Sequence, residues 1–382
     1  MRKIVCLATS PWYPIPTRKQ QVMSRIPDAE ILYFDPSVTY LAPLKDKAAR
    51  PGLSNYKKEG VHPQENITVY SLPPVLPFFY KFRWINKLNQ RRMARFVRRK
   101  MQAHGFTDVL LWVYSPVTAD LVDLVPHKGL VYDCVDRHSA YGGLMDPALV
   151  DRMELELAGK TDRTFATADA LAERLRAAQP NTVMIPNGAN FERFVQAAQP
   201  QPVPEDLRDI PHPIFGFVGA LQSCIEYDYL EAAAKARPDW SFVLIGKEKP
   251  GVDLTALHAM PNVHFLGLKP NEQLPQYLAH FDACLNLFAK SDLSKDVSPL
   301  KFYEYLATGR PIVSTKQPDQ ILQYAPLIEI ADSQEEFISA CEKSCSDTAP
   351  EQIDARIEAG RACSWDSRVA QMCGILEGQG IL

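Results

Sequence analysis

Asp296-Val297-Ser298-Pro299-Leu300-Lys301-Phe302-Tyr303-Glu304-Tyr305-Leu306-Ala307-Thr308-Gly309-Arg310-Pro311-Ile312-Val313-Ser314 reads as a helix that runs straight into a buried strand. Serine is a good N-cap, and proline beside it suits the first helical position, where a missing N–H costs nothing. Gly309 followed by Pro311 ends the helix sharply. Leu300, Tyr303, Leu306 and Ala307 form its expected buried stripe, and Pro311–Ser314 the strand. A helix returning directly to an apolar strand is one half of a parallel α/β repeat.

The same alternation extends along the chain. Apolar runs predict strands near 4–10, 30–34, 67–72, 109–114, 129–134, 164–168 and 183–185. A second series falls near 214–218, 242–245, 263–266, 283–287, 311–314 and 328–330. They are rich in Val, Ile and Leu without clean alternation, as in strands covered on both faces. Between the series, Asn187-Gly188-Ala189-Asn190 leads into Ala/Gln/Pro-rich sequence that reads as a linker. The expected organisation is a Rossmann-like domain over 1–188 and a linker over 189–212. A second such domain over 213–364 and a terminal helix over 365–382, packing back on the first domain, complete it. Two doubly wound domains facing each other leave a cleft at the carboxyl ends of their strands, where such sheets bind ligands.

Bulk properties agree. A chain of 382 residues exceeds the roughly 250–300 at which single cores stop growing. A net charge of −3 excludes a generally basic nucleic-acid binder. Eight cysteines lie at irregular separations, and Cys341 and Cys345 lack the CxxC spacing of a zinc or redox site, so reduced thiols in a cytoplasmic protein are expected. The apolar stretch Ile4–Ala8 falls far short of the roughly 18 residues of a membrane span. No GxGxxG follows any predicted strand, so nothing points to a nicotinamide enzyme.

With Ser298 as cap, the third helical position is Lys301, where a capping box would place Glu or Gln. A cation at the positive end of a helix dipole costs about 0.3–1 kcal/mol on its own. Free N–H groups, the dipole and a lysine together make a phosphate site. Glu304, on the lysine's face, suits ribose hydroxyls. The other reading is a plain Lys301–Glu304 surface pair.

Asp296 and Glu304, with seven residues between them and followed by Tyr305-Leu306-Ala307-Thr308-Gly309-Arg310-Pro311-Ile312-Val313, are similar to the donor-site motif of GT-B glycosyltransferases. Ile185-Pro186-Asn187-Gly188, Phe217-Val218-Gly219, Val243-Leu244-Ile245-Gly246 and Phe265-Leu266-Gly267 occur in the family's order. The chain most resembles bacterial enzymes that build exopolysaccharide, capsule or teichuronic acid, including xanthan-type glucuronosyltransferases. The resemblance implies two Rossmann-like domains facing across a cleft. It also implies a nucleotide-sugar donor, with a UDP-sugar favoured, and no metal or cofactor. Glu304 would hold the ribose. Backbone N–H groups around the Ser298-Pro299-Leu300 helix start, with Lys301, would hold the diphosphate near Gly219. Asp296 would face the donor sugar, and main-chain groups of Leu268 and Lys269 the base. Many relatives carry an Arg after the glycine matching Gly219 and a Lys about five residues later. Here Ala220 and Gln222-Ser223-Cys224-Ile225 stand there, which shifts weight to Lys301 and Lys247.

In the first half, Asp133 and Asp136 lie at the carboxyl end of a predicted strand. Inverting transfer needs a carboxylate to take the acceptor hydroxyl's proton. The resemblance gives Asp136 the position of that base, and a loop-capping role is the alternative for either acid. Trp12, Arg18 and Lys19 sit in phrases that related enzymes carry where the acceptor enters. Residues 66–107 contain no Asp or Glu but nine cations: Lys81, Arg83, Lys87, Arg91, Arg92, Arg95, Arg98, Arg99 and Lys100. With Trp84 and Leu76-Pro77-Phe78-Phe79-Tyr80 beside it, this helix suits an anionic membrane, Arg91, Arg95 and Arg98 leading, and a simple solvated helix is the other reading. The expectation is a transferase peripheral to the inner face of the plasma membrane, acting on a glycan or lipid-pyrophosphate-linked acceptor, with no nucleic-acid partner. A GT-B sugar-nucleotide epimerase and a degenerate nucleotide-binding partner protein are the alternatives.

Overall fold

The computed structural model describes residues 1–143, 145–291 and 294–382, Lys45 by its backbone. It divides into two units, Met1–Pro186 with Val369–Leu382, and Asn187–Arg368.

The first unit holds β1 (Arg2–Leu7), β2 (Ala29–Asp35), β3 (Val61–Gln64), β4 (Ile67–Ser71), β5 (Leu110–Val113), β6 (Gly129–Cys134), β7 (Arg163–Ala166) and β8 (Val183–Met184). Their order is β3-β4-β2-β1-β5-β6-β7-β8, parallel except for β3. The order reverses between β1 and β5, which pair from Ile4↔Leu110 to Leu7↔Val113. β3 was not legible in the sequence: Val61-His62-Pro63-Gln64 contains a proline and little apolar content, as an edge strand tolerates.

The second unit holds β9 (Ile214–Val218), β10 (Ser241–Ile245), β11 (Val263–Gly267), β12 (Ala283–Asn286), β13 (Ile312–Thr315) and β14 (Glu329–Ala331). Their order is β11-β10-β9-β12-β13-β14, all parallel, reversing between β9 and β12. Both faces are covered. Along β9, Ile214 and Val218 join one core while Phe215 and Phe217 join the other. This explains apolar runs without alternation.

The expected linker is instead part of the second unit's core. Phe191, Phe194, Ala197 and Leu207 are buried against the helix Leu300–Thr308 and its neighbours. Its Ala/Gln/Pro composition hid four well-spaced apolar anchors. At the other end of the chain, Arg2 pairs with Glu377 at 2.5 Å and Arg163 Nε donates to Gln379 at 2.8 Å, both within the first unit.

Candidate active site

The helix Leu300–Thr308 follows β12 and begins where the strand order of the second sheet reverses. Gly309 ends it in the left-handed region at φ 72°, as the Gly-x-Pro signal required. Its beginning differs from expectation. Pro299, not Ser298, is the N-cap, so Lys301 is the second helical residue and the capping-box argument does not hold. The serine is otherwise engaged: its Oγ accepts the backbone N–H of Asn187 at 2.9 Å and donates to Gln320 Oε1 at 3.1 Å. Asn187 Nδ2 also donates to the Ser298 carbonyl at 3.0 Å. Leu300 is exposed, not part of the buried stripe, which is Phe302, Tyr303, Tyr305, Leu306, Ala307 and Thr308.

The consequence is a first turn that its N-cap residue, a proline, does not cap. Its N–H groups and the positive end of the dipole are those expected to attract an anion. Lys301 Nζ is paired with Glu304 Oε2 at 2.6 Å, the simpler of the two readings, and lies 5.7 Å from the Phe194 ring centroid. Asp296 is buried just ahead of Ser298. Tyr305 ties the helix to the end of β9: its hydroxyl accepts the Val218 N–H at 2.8 Å and faces the Val218 carbonyl at 3.3 Å. Gly219 follows, and the backbone comes so close to Gly246 that a Cβ there would meet the Gly219 oxygen at 1.7 Å. Lys247, after β10, has an exposed side chain. After β11, Leu268 is 73% exposed. Lys269 is held by Asp206, which raises its pKa, so its ammonium is already engaged.

In the first unit, Asp133 at the end of β6 is fully buried and accepts Arg18 Nε at 3.1 and 2.9 Å. Arg18 Nη1 donates to the Pro186 carbonyl at 3.0 Å. A carboxylate so enclosed cannot reach an acceptor hydroxyl, and an arginine so engaged cannot greet one. In this structure each is the other's partner, and Arg18 Nη2 is buried without one. Trp12 is also inside: its ring meets Tyr33 edge-on at 4.9 Å, and its backbone N–H donates to Asp35 Oδ1 at 2.8 Å. Lys19 is buried with its Nζ 5.6 Å from the Tyr114 ring centroid, and desolvation lowers its pKa against the pull of Asp136 and Asp133. Asp136 is exposed and accepts the Tyr141 hydroxyl at 2.9 Å. His138 Nε2 lies 3.1 Å from the Tyr114 carbonyl and must donate to it, leaving the buried Nδ1 as the unprotonated nitrogen. Burial pushes its pKa down. Among the described residues, no three His, Cys, Asp or Glu side chains gather as a metal site.

A family model for "Glycosyl transferases group 1" matches residues 212–347, which span the whole β9–β14 sheet. The Bacillus subtilis (strain 168) protein TuaH, assigned as a teichuronic acid biosynthesis glycosyltransferase, is 25% identical over 279 residues, covering 69% of this chain and 70% of TuaH. The fold matches sucrose-phosphate synthase from Thermosynechococcus elongatus with a TM-score of 0.70 at 13% identity over 99% of both chains. Anabaena HepE, solved with UDP and glucose, matches with a TM-score of 0.64 at 16% identity over 99% of this chain and 100% of HepE. Residues 212–347 are thus a glycosyl transferase group 1 domain, and the fold is that of GT-B glycosyltransferases.

The basic run of this glycosyltransferase is the helix Arg83–Ala103. Lys87, Arg91, Arg95, Arg98 and Arg99 stand on its exposed face, with Trp84 62% and Leu88 46% exposed among them. Arg83 is drawn aside to Asp120 at 3.1 Å and to Glu156. Phe78 and Phe82, just before the helix, are also exposed. Among the described residues, no helix is long and apolar enough to cross a membrane. Two residues of the glycosyltransferase escaped sequence reasoning. Gln320 accepts from Ser298 and Tyr303 and donates to the Val297 carbonyl, fixing the approach to the uncapped turn. Asn187 stood only as part of a motif. Polar residues that act by holding a loop carry no periodic signal.

Proposed function

We propose that this glycosyltransferase moves a sugar from a nucleoside-diphosphate sugar, a UDP-sugar in the first instance, to a glycan or lipid-pyrophosphate-linked acceptor in bacterial surface glycan synthesis. The observation that carries it is the uncapped first turn of Leu300–Thr308, held by Asn187, Ser298 and Gln320, with Lys301 and Glu304 on it. The diphosphate would take the N–H groups and Lys301. Glu304, released from the lysine, would accept the ribose hydroxyls. Asp296 would face the donor sugar. With Ala220 and Ile225 where other cations were expected, Lys301 and Lys247 supply the positive charge.

The dipole and lysine would stabilise the departing diphosphate, so transfer needs no metal in this reading. Asp136, exposed at the carboxyl end of the first sheet, is the group suited to take the acceptor proton if configuration inverts. The exposed cations and Trp84 of Arg83–Ala103 suit an anionic membrane surface, at roughly 1 kcal/mol per well-placed cation. TuaH supports this class of acceptor, and HepE, with its UDP, supports this class of donor.

Isothermal titration with UDP and GDP tests the donor. UDP should bind, and Lys301→Ala and Glu304→Ala should each weaken it. Binding of neither nucleotide would remove the reading. Incubating UDP-sugars with bacterial membrane extract should yield a labelled lipid. Recovery of isomerised nucleotide alone would make the chain an epimerase. Flotation with anionic vesicles, compared with Arg91→Glu, Arg95→Glu and Arg98→Glu together, tests the membrane face, and unchanged flotation would remove it.

A further inference from the structure

Arg83–Ala103 carries one outward stripe from end to end. Trp84, Leu88, Arg91, Arg95, Arg98 and Gln102 follow one another in steps of four and three, and all six are exposed. At 3.6 residues per turn they share an arc of about 80° and a length of about 27 Å. The helix contains no acid, and the stripe is polarised, with apolar side chains first and cations after.

The two ends of the stripe sit at opposite edges of the first sheet. A helix that leaves β4 and leads into β5, strands that point the same way, must run back against them. Trp84 and Leu88 thus lie toward the carboxyl edge, where Phe78 and Phe82 extend the exposed apolar surface. At the amino edge, beside Asp108 and Pro126, which precede β5 and β6, is an open groove of about 930 Å³. Arg92, Arg95, Arg98 and Arg99 line it, and Asp108 is the one acid among its described walls. Among the described residues, neither Arg95 nor Arg98 has an ion-pair partner. Four guanidiniums against one carboxylate call for an anion, and guanidinium matches phosphate oxygens two at a time.

A second copy of the chain would set these cations against its own cations or against its apolar end. A wholly polar polyanion would leave Trp84, Leu88 and the phenylalanines in water. A surface with phosphates above hydrocarbon satisfies both halves of the stripe.

We propose that Arg83–Ala103 lies lengthwise on an anionic bilayer, with Trp84 and Leu88 at the acyl boundary and a lipid phosphate in the arginine groove. The inference rests on the membrane reading above and adds to it a headgroup site and an orientation. With the whole stripe on the surface, the strands of the first sheet run along the membrane. Their carboxyl edge, with Asp136 after β6, then opens along the surface and not away from it.

Brominated lipids test it, because they quench only indoles that enter the bilayer. Trp12, Trp112, Trp240 and Trp365 are buried, so Trp84 is the natural reporter of one end. Trp84→Phe with Gln102→Trp moves the reporter to the groove end, at an exposed position outside the core. On phosphatidylglycerol vesicles both reporters should be quenched, to within about twofold of each other. Arg95→Gln with Arg99→Gln should lower vesicle affinity about fivefold for each cation removed. In the protein still bound, that pair should relieve quenching at the groove end and spare it at Trp84. Parental affinity and quenching in that variant would overturn the headgroup site. Quenching confined to either end of the parent stripe would overturn the lengthwise orientation and leave membrane binding in place. No binding to the vesicles would overturn the inference and the membrane reading together, and binding of soluble polyphosphate in their stead would give the stripe to a soluble polyanion. Neither measurement needs donor or turnover, so a failure to bind UDP would remove the transfer reading without altering this result.

Discussion

Ser298 Oγ accepts the backbone N–H of Asn187 at 2.9 Å, joining positions 111 residues apart. The serine is thereby removed from capping duty, and the helix it precedes starts at a proline whose side chain cannot cap it. Ser298→Ala should weaken UDP binding about tenfold and lower stability by about 0.5–1.5 kcal/mol, the net worth of a typical hydrogen bond. Asn187→Ala should do much the same. The double variant should fall short of the sum, because both act on one network. Titration calorimetry and urea midpoints read both effects, and full additivity would argue against a shared role.

Lys301 and Glu304 are paired in the structure but are assigned different parts of the nucleotide. Lys301→Met should therefore cost UDP affinity about tenfold, or about 1.4 kcal/mol, and flatten its salt dependence. Glu304→Gln should spare the diphosphate and reduce discrimination between UDP and its 2′-deoxy form. If Glu304→Gln instead binds UDP as poorly as Lys301→Met and discriminates as well as the parent, the ribose assignment is wrong.

Arg18 and Asp133 form a buried ion pair at 2.9 Å. Arg18→Met leaves a carboxylate uncompensated in the core and should destabilise the first unit by about 3–5 kcal/mol. Arg18→Met with Asp133→Leu together should recover much of that loss. Chemical denaturation checks it. A marginal effect of the single change would return Arg18 to the candidates for acceptor binding.

His138 is held neutral, its pKa pushed below the ordinary 6.5 by burial. The unfolded chain binds this proton more readily, so His138 makes stability fall as pH drops below about 6.5 toward the lower folded value. Above that range its contribution is constant. His138→Gln, which can still donate to the Tyr114 carbonyl, should flatten the pH dependence of the urea midpoint between pH 5 and 7. An unchanged slope would show that the imidazole is not the group responsible.

Asp136→Asn should lower kcat by about 10²–10⁴ in an inverting enzyme and leave UDP affinity intact. EDTA should leave the parent's rate unchanged. Near-parental kcat for Asp136→Asn would assign the proton to another group or the reaction to the retaining class, and EDTA inhibition would show that charge stabilisation includes a metal.

Both sheets apart from the edge strand β3 were legible because doubly buried strands must be apolar throughout, and Gly309 betrayed the end of its helix by the backbone angle it adopts. The start of that helix was not legible. Ser298 is a good cap locally, and only the distant Asn187 and Gln320 redirect it. Trp12, Arg18 and Lys19 resembled the phrases that related enzymes carry where the acceptor enters, but a sequence does not reveal that a carboxylate 115 residues away waits inside to receive the arginine. Residues 189–212 misled in the opposite direction, because a few phenylalanines among glutamines and prolines suffice to nail a segment onto a core. Asp136, by contrast, is as exposed as its place after β6 predicts.

β9 and β12 pair only at Ala283↔Phe215 and Cys284↔Gly216, so the sheet splits before β9 ends. The Tyr305 phenol sits in the fork and meets both backbone groups of Val218 that a longer strand would have met. A single oxygen thus imitates a missing rung, letting the strands part without leaving raw peptide behind. Tyr305→Phe would remove the splint and keep the ring, exposing how much of the fork's shape depends on one hydroxyl.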